Sequence, residues 1–398
     1  MWKRKYYQNP RRLALAAIAK ETQETTPVIA AGLPHMNPTE SEKLDLETLP
    51  ALDVTQCPRF TVSKSVYGTA VRVFNKDSFD AAIVMPSSIL SIPSKTPTQT
   101  AETEVLGHLK SYAAAAESLS STASRVAVLN MASEFSPGGG WLKGSTAQEE
   151  ALCYRSSLAS SLHRSLYPIA PRAGVYTRDV VIFRESMNDG HKLMVPETAV
   201  ENLPVVSVLS VAGIRRPEVK EVGVERAEGA ERAETSAERQ DGEESGDALK
   251  SEKTNNVEQA GMSEVGNSEE PSDPRSQGKW KHRKGKKTRE PKTPKGPMQF
   301  ANPADRVLTK DKMRLCLRMA AAKGHTMLVL GAVGCGAFKN PPQEIANCWM
   351  EVLSEEELSG GWFKEIWFAV YDRRNEGNFE IFRDMFDGKV VGEVKTSV

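Results

Sequence analysis

Residues 125–151 read RVAVLNMASEFSPGGGWLKGSTAQEEA, and this stretch decides the fold. Val126–Leu129 is a short apolar run that predicts a buried strand. It ends at the polar Asn130, where the chain leaves the sheet, and in open α/β sheets ligands bind outside the carboxyl ends of strands. Gly138, Gly139 and Gly140 follow, a triplet that permits positive φ and brings backbone N–H groups close to a ligand. Ser145 and Gln148 then have the spacing of a capping box, with Ser145 as N-cap of a helix over 146–166. Glu149 and Glu150 fall in its first turn, facing the glycines. Acids there complement the helix dipole by ~0.3–1 kcal/mol, a purely structural role. Glu150, however, lies beside the apolar stripe Ala147, Ala151, Tyr154 and Leu158, and a carboxyl at the edge of an apolar face can hold a proton for donation. Glu149 points about 100° away on an ideal helix, so the two need not share a role.

Working outward, residues 328–340 read LVLGAVGCGAFKN. A buried strand runs into Gly331, Gly334 and Gly336, then Phe338, before a helix that Pro341 and Pro342 start. A glycine turn between a strand and a helix N-terminus suits phosphate. Its spacing, G-x-x-G-x-G, is neither the dinucleotide fingerprint nor a Walker loop. Cys335 has no histidine near it in sequence and reads as a small side chain in a tight loop. Two glycine loops and an acid pair together suggest a pocket for a molecule with a diphosphate, sugars and a scissile acetal.

Further strands are expected at 71–74, 82–84, 180–183, 204–211, 326–330 and 366–371, and further helices at 103–119, 310–323 and 342–353. Short apolar runs alternating with helical patterns indicate an α/β layered sheet covered on both faces. A helix following Arg11 and Arg12 to Thr25 opens the chain, within an N-terminal helical extension over 1–50. The basic, acid-free start also has features of a transit peptide.

Between Glu218 and Asp273 stand seventeen acidic and six basic side chains and no Ile, Phe, Tyr or Trp. Such a segment cannot bury enough apolar area to offset roughly 1–2 kcal/mol per residue of backbone ordering. The sign then flips across the basic stretch Lys279–Lys295, which suits nuclear import or contact with a polyanion. Because strands flank it, 215–300 is expected to be a disordered loop inserted into a single domain made of 1–214 and 301–398. Insertion costs little, since closure entropy grows only logarithmically with length. Over the 398 residues Lys+Arg and Asp+Glu both total 52, so net charge indicates no partner. Five cysteines without a CxxC pair fit neither a disulfide framework nor a zinc site, and point to a reducing compartment. No apolar run approaches the ~20 residues of a membrane span.

Three glycines, seven residues and then Gln148-Glu149-Glu150 resemble the signature of poly(ADP-ribose) glycohydrolases, and LGAVGCGAF resembles the diphosphate loop of their microbial-type branch. The basic first helix running into Glu21-Thr22, the strand into Asn130, the segment Val181–Arg184 and the segment Trp367–Asp372 follow in similar order. The resemblance covers roughly 10–214 and 303–385. It implies a macrodomain-like α/β/α three-layer fold with a mixed central sheet, gripping a terminal ADP-ribose unit. It makes Glu150 the catalytic glutamate and Glu149 the neighbour that orients the ribose. Gly138–Gly140 and Gln148 would line the ribose and diphosphate, and Asn130 would contact the distal ribose. Gly334, Cys335, Gly336 and Ala337 would wrap the diphosphate, and Phe338 would pack on the ribose. No metal or cofactor is implied. The partners would be poly(ADP-ribose) or ADP-ribosylated proteins, met by a monomer in the nucleus or cytoplasm. Two departures stand out: Ala212-Gly213-Ile214-Arg215 replaces an Ala-Ala-Pro-Asn-like turn, and Val333 replaces a common aromatic. A non-catalytic ADP-ribose reader, a mono-ADP-ribosyl-protein hydrolase and an interaction protein acting through 217–297 are the competing readings.

Overall fold

The computed structural model describes residues 9–90, 125–222 and 296–395. These lie in one compact unit whose centre is a nine-stranded mixed sheet. In chain order the elements are α1 (Pro10–Ala31), β1 (Glu42–Asp45), β2 (Thr61–Ser63), β3 (Val66–Phe74), α2 (Ser78–Leu90), β4 (Val126–Ala132), α3 (Gln148–Arg155), α4 (Leu158–Ser161), β5 (Ala173–Val181) and β6 (Val205–Ala212). They continue with β7 (Val219–Glu221), β8 (Met298–Phe300), α5 (Pro303–Ala322), β9 (Met327–Leu330), α6 (Pro342–Leu353), β10 (Glu365–Ala369), α7 (Asn378–Phe386) and β11 (Val390–Lys395). The strand order is β1-β5-β6-β4-β9-β10-β3-β11, with β2 beside β3. From β6 to β3 the strands run parallel. β5 and β11 flank that block antiparallel to their neighbours.

The central strands read as continuous apolar runs because both faces are covered. Alternate residues serve alternate cores. Ala127, Leu129, Leu328 and Leu330 join the side chains of α5, α6 and α7. Val126, Val128, Met327 and Val329 join Leu15 of α1, Phe79 and Met85 of α2, and Leu152 of α3. This is the three-layer macrodomain-like arrangement. At α5, Asn302 caps the first turn by accepting from the Ala304 N–H at 3.0 Å, and Pro303 supplies the fixed φ that suits a first helical position. Ion pairs from Arg306 to Glu344 and Glu351 lash α5 to α6, and Arg314 to Glu355 and Arg318 to Glu357 extend the seam.

Several local expectations are corrected. The run at 82–84 is not a strand but the middle of α2. Asp77 accepts from the Phe79 N–H at 2.9 Å, and Phe79, Ala82 and Met85 recur at helical spacing on the buried face. A short apolar run carries no period of its own, so the cap decides it. The helix expected over 146–166 stops at Arg155, where Ser156 turns extended and bridges to Ile182. The Ser157 hydroxyl accepts from the Val181 N–H at 3.0 Å, a sheet contact stronger here than helix propagation. Residues 42–45, within the stretch expected to be helical, pair with β5 as an edge strand. Residues 219–221 pair antiparallel with 298–300 in a ribbon, so the ends of the segment expected to be disordered are strands. The helix expected at 103–119 and the acidic and basic stretch over 223–295 lie outside the described residues. No helix among the described residues is long and apolar enough to cross a membrane.

Candidate active site

Because β6, β4 and β9 are parallel neighbours, the segments that follow them emerge side by side at one edge of the sheet. After β4 comes the loop with Gly138–Gly140, after β9 the loop with Gly331–Phe338, and after β6 the turn 213–216. The two glycine loops are thus brought together.

The acid pair sits under the first loop. Gly140 donates its N–H to Glu150 Oε1 at 2.8 Å, and Ser133 donates to Glu149 Oε2 at 2.8 Å. The two side chains do not diverge as a helical wheel suggests. A Cβ at Gly139 would lie 2.6 Å from Glu150 Oε1 and 2.8 Å from Glu149 Oε2, so both carboxyls converge beneath that one residue, whose φ is +61°. Glu149 is 4% exposed and Glu150 7%. Glu149 Oε1, Glu150 Oε2, Asn130 Oδ1 and the Tyr167 hydroxyl are buried without a hydrogen-bond partner. A buried polar group left unpaired costs about 1–3 kcal/mol, so this cluster is a costly one to enclose.

Burial is the main reason that the Glu149 carboxyl is pushed up to about 8, with the Glu150 charge adding to it and the Ser133 N–H and Asn130 pulling the other way. A proton-holding carboxyl of the kind expected in this first turn is found at Glu149. Desolvation acts on whichever acid the fold encloses, and a helical wheel cannot rank the two.

The capping box is not formed. Helix α3 starts at Gln148 with Ala147 as an extended N-cap and no side-chain cap. Gln148 instead donates to the Leu129 carbonyl at 2.7 Å and to Ser78 Oγ at 3.2 Å, and accepts from the Met131 N–H at 2.9 Å. β4 pairs with β9 only as far as Val128, so Gln148 completes the ladder that β9 leaves open. Both of its amide protons are used inside the protein, so the bonds fix the start of the helix that carries the two acids. Asn130 is fully buried and donates to Ser210 Oγ at 3.0 Å, leaving Oδ1 beside the pair.

Residues to which the sequence assigned no role in the site hold this arrangement. The Tyr154 hydroxyl lies 2.7 Å from the Trp141 carbonyl and 2.9 Å from that of Ser145, tying α3 to the glycine loop. Arg155, 2% exposed, reaches Asp77 and Asp80 and the Arg184 carbonyl. Arg184 in turn reaches Glu21 at 2.6 Å and Thr22 Oγ1 at 2.9 Å, and Thr22 bonds the Tyr154 carbonyl. Their signal in the sequence was an arginine closing an apolar run, which a surface position gives equally well.

The second loop contains no acid. Gly334 has φ +72°, and a Cβ there would strike the Asn340 amide. That amide donates to the Ile214 carbonyl at 2.7 Å and the Gly334 carbonyl at 3.2 Å. Beneath the loop, the buried Trp349 indole donates to the Gly331 carbonyl at 3.2 Å. The N–H groups of Gly336, Ala337 and Phe338 donate to no acceptor among the described residues. Gly336 and Ala337 are exposed and Phe338 half-buried at the lip. Cys335 is buried, which raises its thiol well above the ordinary range and leaves no thiolate for attack. A hollow of about 360 Å³ beside α1, lined by Glu21, Arg184 and His191 among others, includes neither Glu149 nor Glu150 and no residue of the two glycine loops.

Residues 60–185 match the family model "Microbial-type PARG, catalytic domain", a span that includes the acid pair and the first glycine loop. Among solved structures, the fold is similar to that of poly(ADP-ribose) glycohydrolase from Thermomonospora curvata, at 18% identity and TM-score 0.52, covering 94% of this chain and 99% of that one. A Deinococcus radiodurans poly(ADP-ribose) glycohydrolase in complex with ADP-ribose is also similar, at 21% identity and TM-score 0.49, covering 90% of this chain and 96% of that one. No curated protein sequence matches. Over residues 60–185 this chain matches the microbial-type PARG catalytic domain, and the fold in which they sit is that of the Thermomonospora curvata glycohydrolase.

Proposed function

We propose that the protein hydrolyses the ribose–ribose O-glycosidic bonds of poly(ADP-ribose) and releases ADP-ribose, with Glu150 as the general acid and base. One observation carries the reading: two buried carboxyls meet under Gly139, each fixed by a loop N–H and each left with one unpartnered oxygen. A reader of ADP-ribose needs no such pair, since holding a ligand requires no proton in transit.

The chemistry follows from the acetal. The leaving 2′-oxygen must gain a proton while an oxocarbenium-like ribosyl cation develops, and a water must then lose one. Burial holds the Glu149 carboxyl up to about 8, so this member of the pair carries a proton at neutral pH. Glu150 in its acid form gives its own proton to the 2′-oxygen as the ribosyl C–O bond breaks, and the resulting carboxylate takes a proton from the attacking water. Glu149 orients the ribose hydroxyls through its unpartnered oxygen, and Asn130 Oδ1 accepts from another hydroxyl. Phe338 at the lip packs against the sugar, and the unengaged N–H groups of 336–338 hold the diphosphate, whose charge also favours the cation. Residues 1–214 with 301–398 act as one catalytic domain. The basic stretch Lys279–Lys295 serves nuclear import or contact with a polyanion.

The test is release of ADP-ribose from polymer by the wild type beside Glu150→Gln. A loss of about 10²–10⁴-fold in kcat with ADP-ribose affinity kept supports the reading. Equal turnover by the two proteins rejects the assignment.

A further inference from the structure

The turn after β6 does not stay on its own side of the sheet. β6 and β9 flank β4 on opposite sides, yet the segments that follow them touch. A Cβ at Gly213 would meet Val333 Cγ1 at 3.2 Å, the Asn340 amide donates to the Ile214 carbonyl at 2.7 Å, and the Arg216 N–H donates to the Phe338 carbonyl at 2.8 Å. The turn therefore bridges over the end of β4, whose loop covers the acid pair, and fastens to the second glycine loop at both its start and its end. Arg216 adopts a φ of +51°, a conformation that a residue with a Cβ takes only where its surroundings fix it.

Two adjacent guanidinium groups stand on this bridge. Arg215 and Arg216 are exposed. Arg125, Arg155, Arg184, Arg306, Arg314 and Arg318 each hold a carboxylate. Arg215 and Arg216 hold none among the described residues. They stand beside Phe338, at the lip of a loop whose N–H groups at 336–338 point to no internal acceptor. Two unpaired cations there match the two charges of a diphosphate, and the planar fork of arginine suits phosphate oxygens.

We infer that Arg215 and Arg216 grip the diphosphate of the terminal ADP-ribose unit alongside the second glycine loop, and so are positioning residues that set affinity for the substrate. This rests on the reading of the site as a poly(ADP-ribose) glycohydrolase. The pair acts on binding, and the acids act on the bond.

The experiment compares the full chain with a double variant, Arg215→Gln with Arg216→Gln, and with a second, Arg215→Lys with Arg216→Lys. Glutamine keeps the Cβ, so the backbone at 216 is no more strained than before. Steady-state release of ADP-ribose from polymer and calorimetric binding of ADP-ribose are measured, with adenosine, which has no phosphate, as the second ligand. The expected result is a rise of about tenfold in KM for polymer and in Kd for ADP-ribose, the size of a charge-assisted hydrogen bond at an exposed site. The fall in kcat should be smaller, adenosine binding should not weaken, and the lysine pair should recover part of the loss. Wild-type affinity for ADP-ribose in the glutamine pair overturns the inference, as does an equal loss for adenosine, which would mean a deformed turn. Cleavage by the wild type is read separately. A wild type that binds ADP-ribose without cutting polymer removes the hydrolase reading while the two variants still report on the arginines. A wild type that does neither removes both.

Discussion

The two glycine-rich loops leave neighbouring parallel strands, both use left-handed glycines and both run into a helix, yet their polar groups are spent differently. In the first, the backbone N–H groups of Ser133 and Gly140 are committed to two of the protein's own carboxyls. In the second, Asn340 ties the loop to the turn after β6, and the N–H groups of 336–338 have no acceptor among the described residues. One loop is closed over two buried carboxyls, and the other carries N–H groups with no acceptor among the described residues. A glycine count cannot tell these apart, because in the first the glycine makes room for acids and in the second for an amide.

Gly139→Ala gives the sharpest break in the comparison. The added carbon would lie within 2.8 Å of both carboxyls at a φ of +61°, so the acids must move. A displacement near 1 Å costs about 10²-fold in kcat, which steady-state hydrolysis of polymer reads directly. Near-normal kcat in a folded variant would mean that the pair is not held by the loop.

A second measurement tests whether the first loop encloses a protonated acid. The folded-state value for Glu149, about 8, lies above the ordinary 4.5, so between those two values the folded chain binds a proton that the unfolded chain has released. Stability contributed by this group is complete below about 4.5 and is lost as pH rises towards 8. Glu149→Gln has no such proton. Urea unfolding at pH 5 and pH 8 should therefore show the wild type losing a few kcal/mol relative to the variant, at ~1.4 kcal/mol per unit. Parallel behaviour of the two proteins would place the shift elsewhere.

In the second loop the expected changes are smaller and fall on binding. Gly334→Ala forces the Asn340 amide from its two carbonyls and should raise KM roughly tenfold, the loss of about one hydrogen bond to a charged ligand, with kcat nearly kept. Gly336→Ala, where nothing lies within 4 Å of the new carbon, should change KM by no more than about twofold, as surface substitutions away from special features do. Reversed ranks for 334 and 336 would show that steric access, rather than the Asn340 tie, shapes the loop.

Much of this was legible before the fold. The strand over Val126–Leu129, the two glycine loops, the first helix and the helix that Pro342 starts each carry a local signature, since periodicity, a fixed proline φ and glycine tolerance act within a few residues, although the strand runs on past Asn130, its expected end, to Ala132. Signals that act at a distance were misread or missed. The run 82–84 became helix because Asp77 caps it, and the helix from 148 broke at Ser156 because Ile182 offered a sheet bond. β11 was missed, an edge strand with only Val391 of its six residues buried.

The sequence by itself determined the layered α/β class, the glycine loops on two strands, and the presence of two acids at the start of a helix, all properties of neighbours along the chain. Only the tertiary structure decided that β6, β4 and β9 are parallel neighbours, that the acids converge under Gly139, that Gln148 completes a ladder instead of capping a helix, and that the turn carrying Arg215 and Arg216 crosses to the second loop. The physical reason is that burial and hydrogen-bond partners belong to the packed sheet. Which carboxyl keeps its proton depends on what encloses it, and the enclosing atoms come from residues far away in the chain.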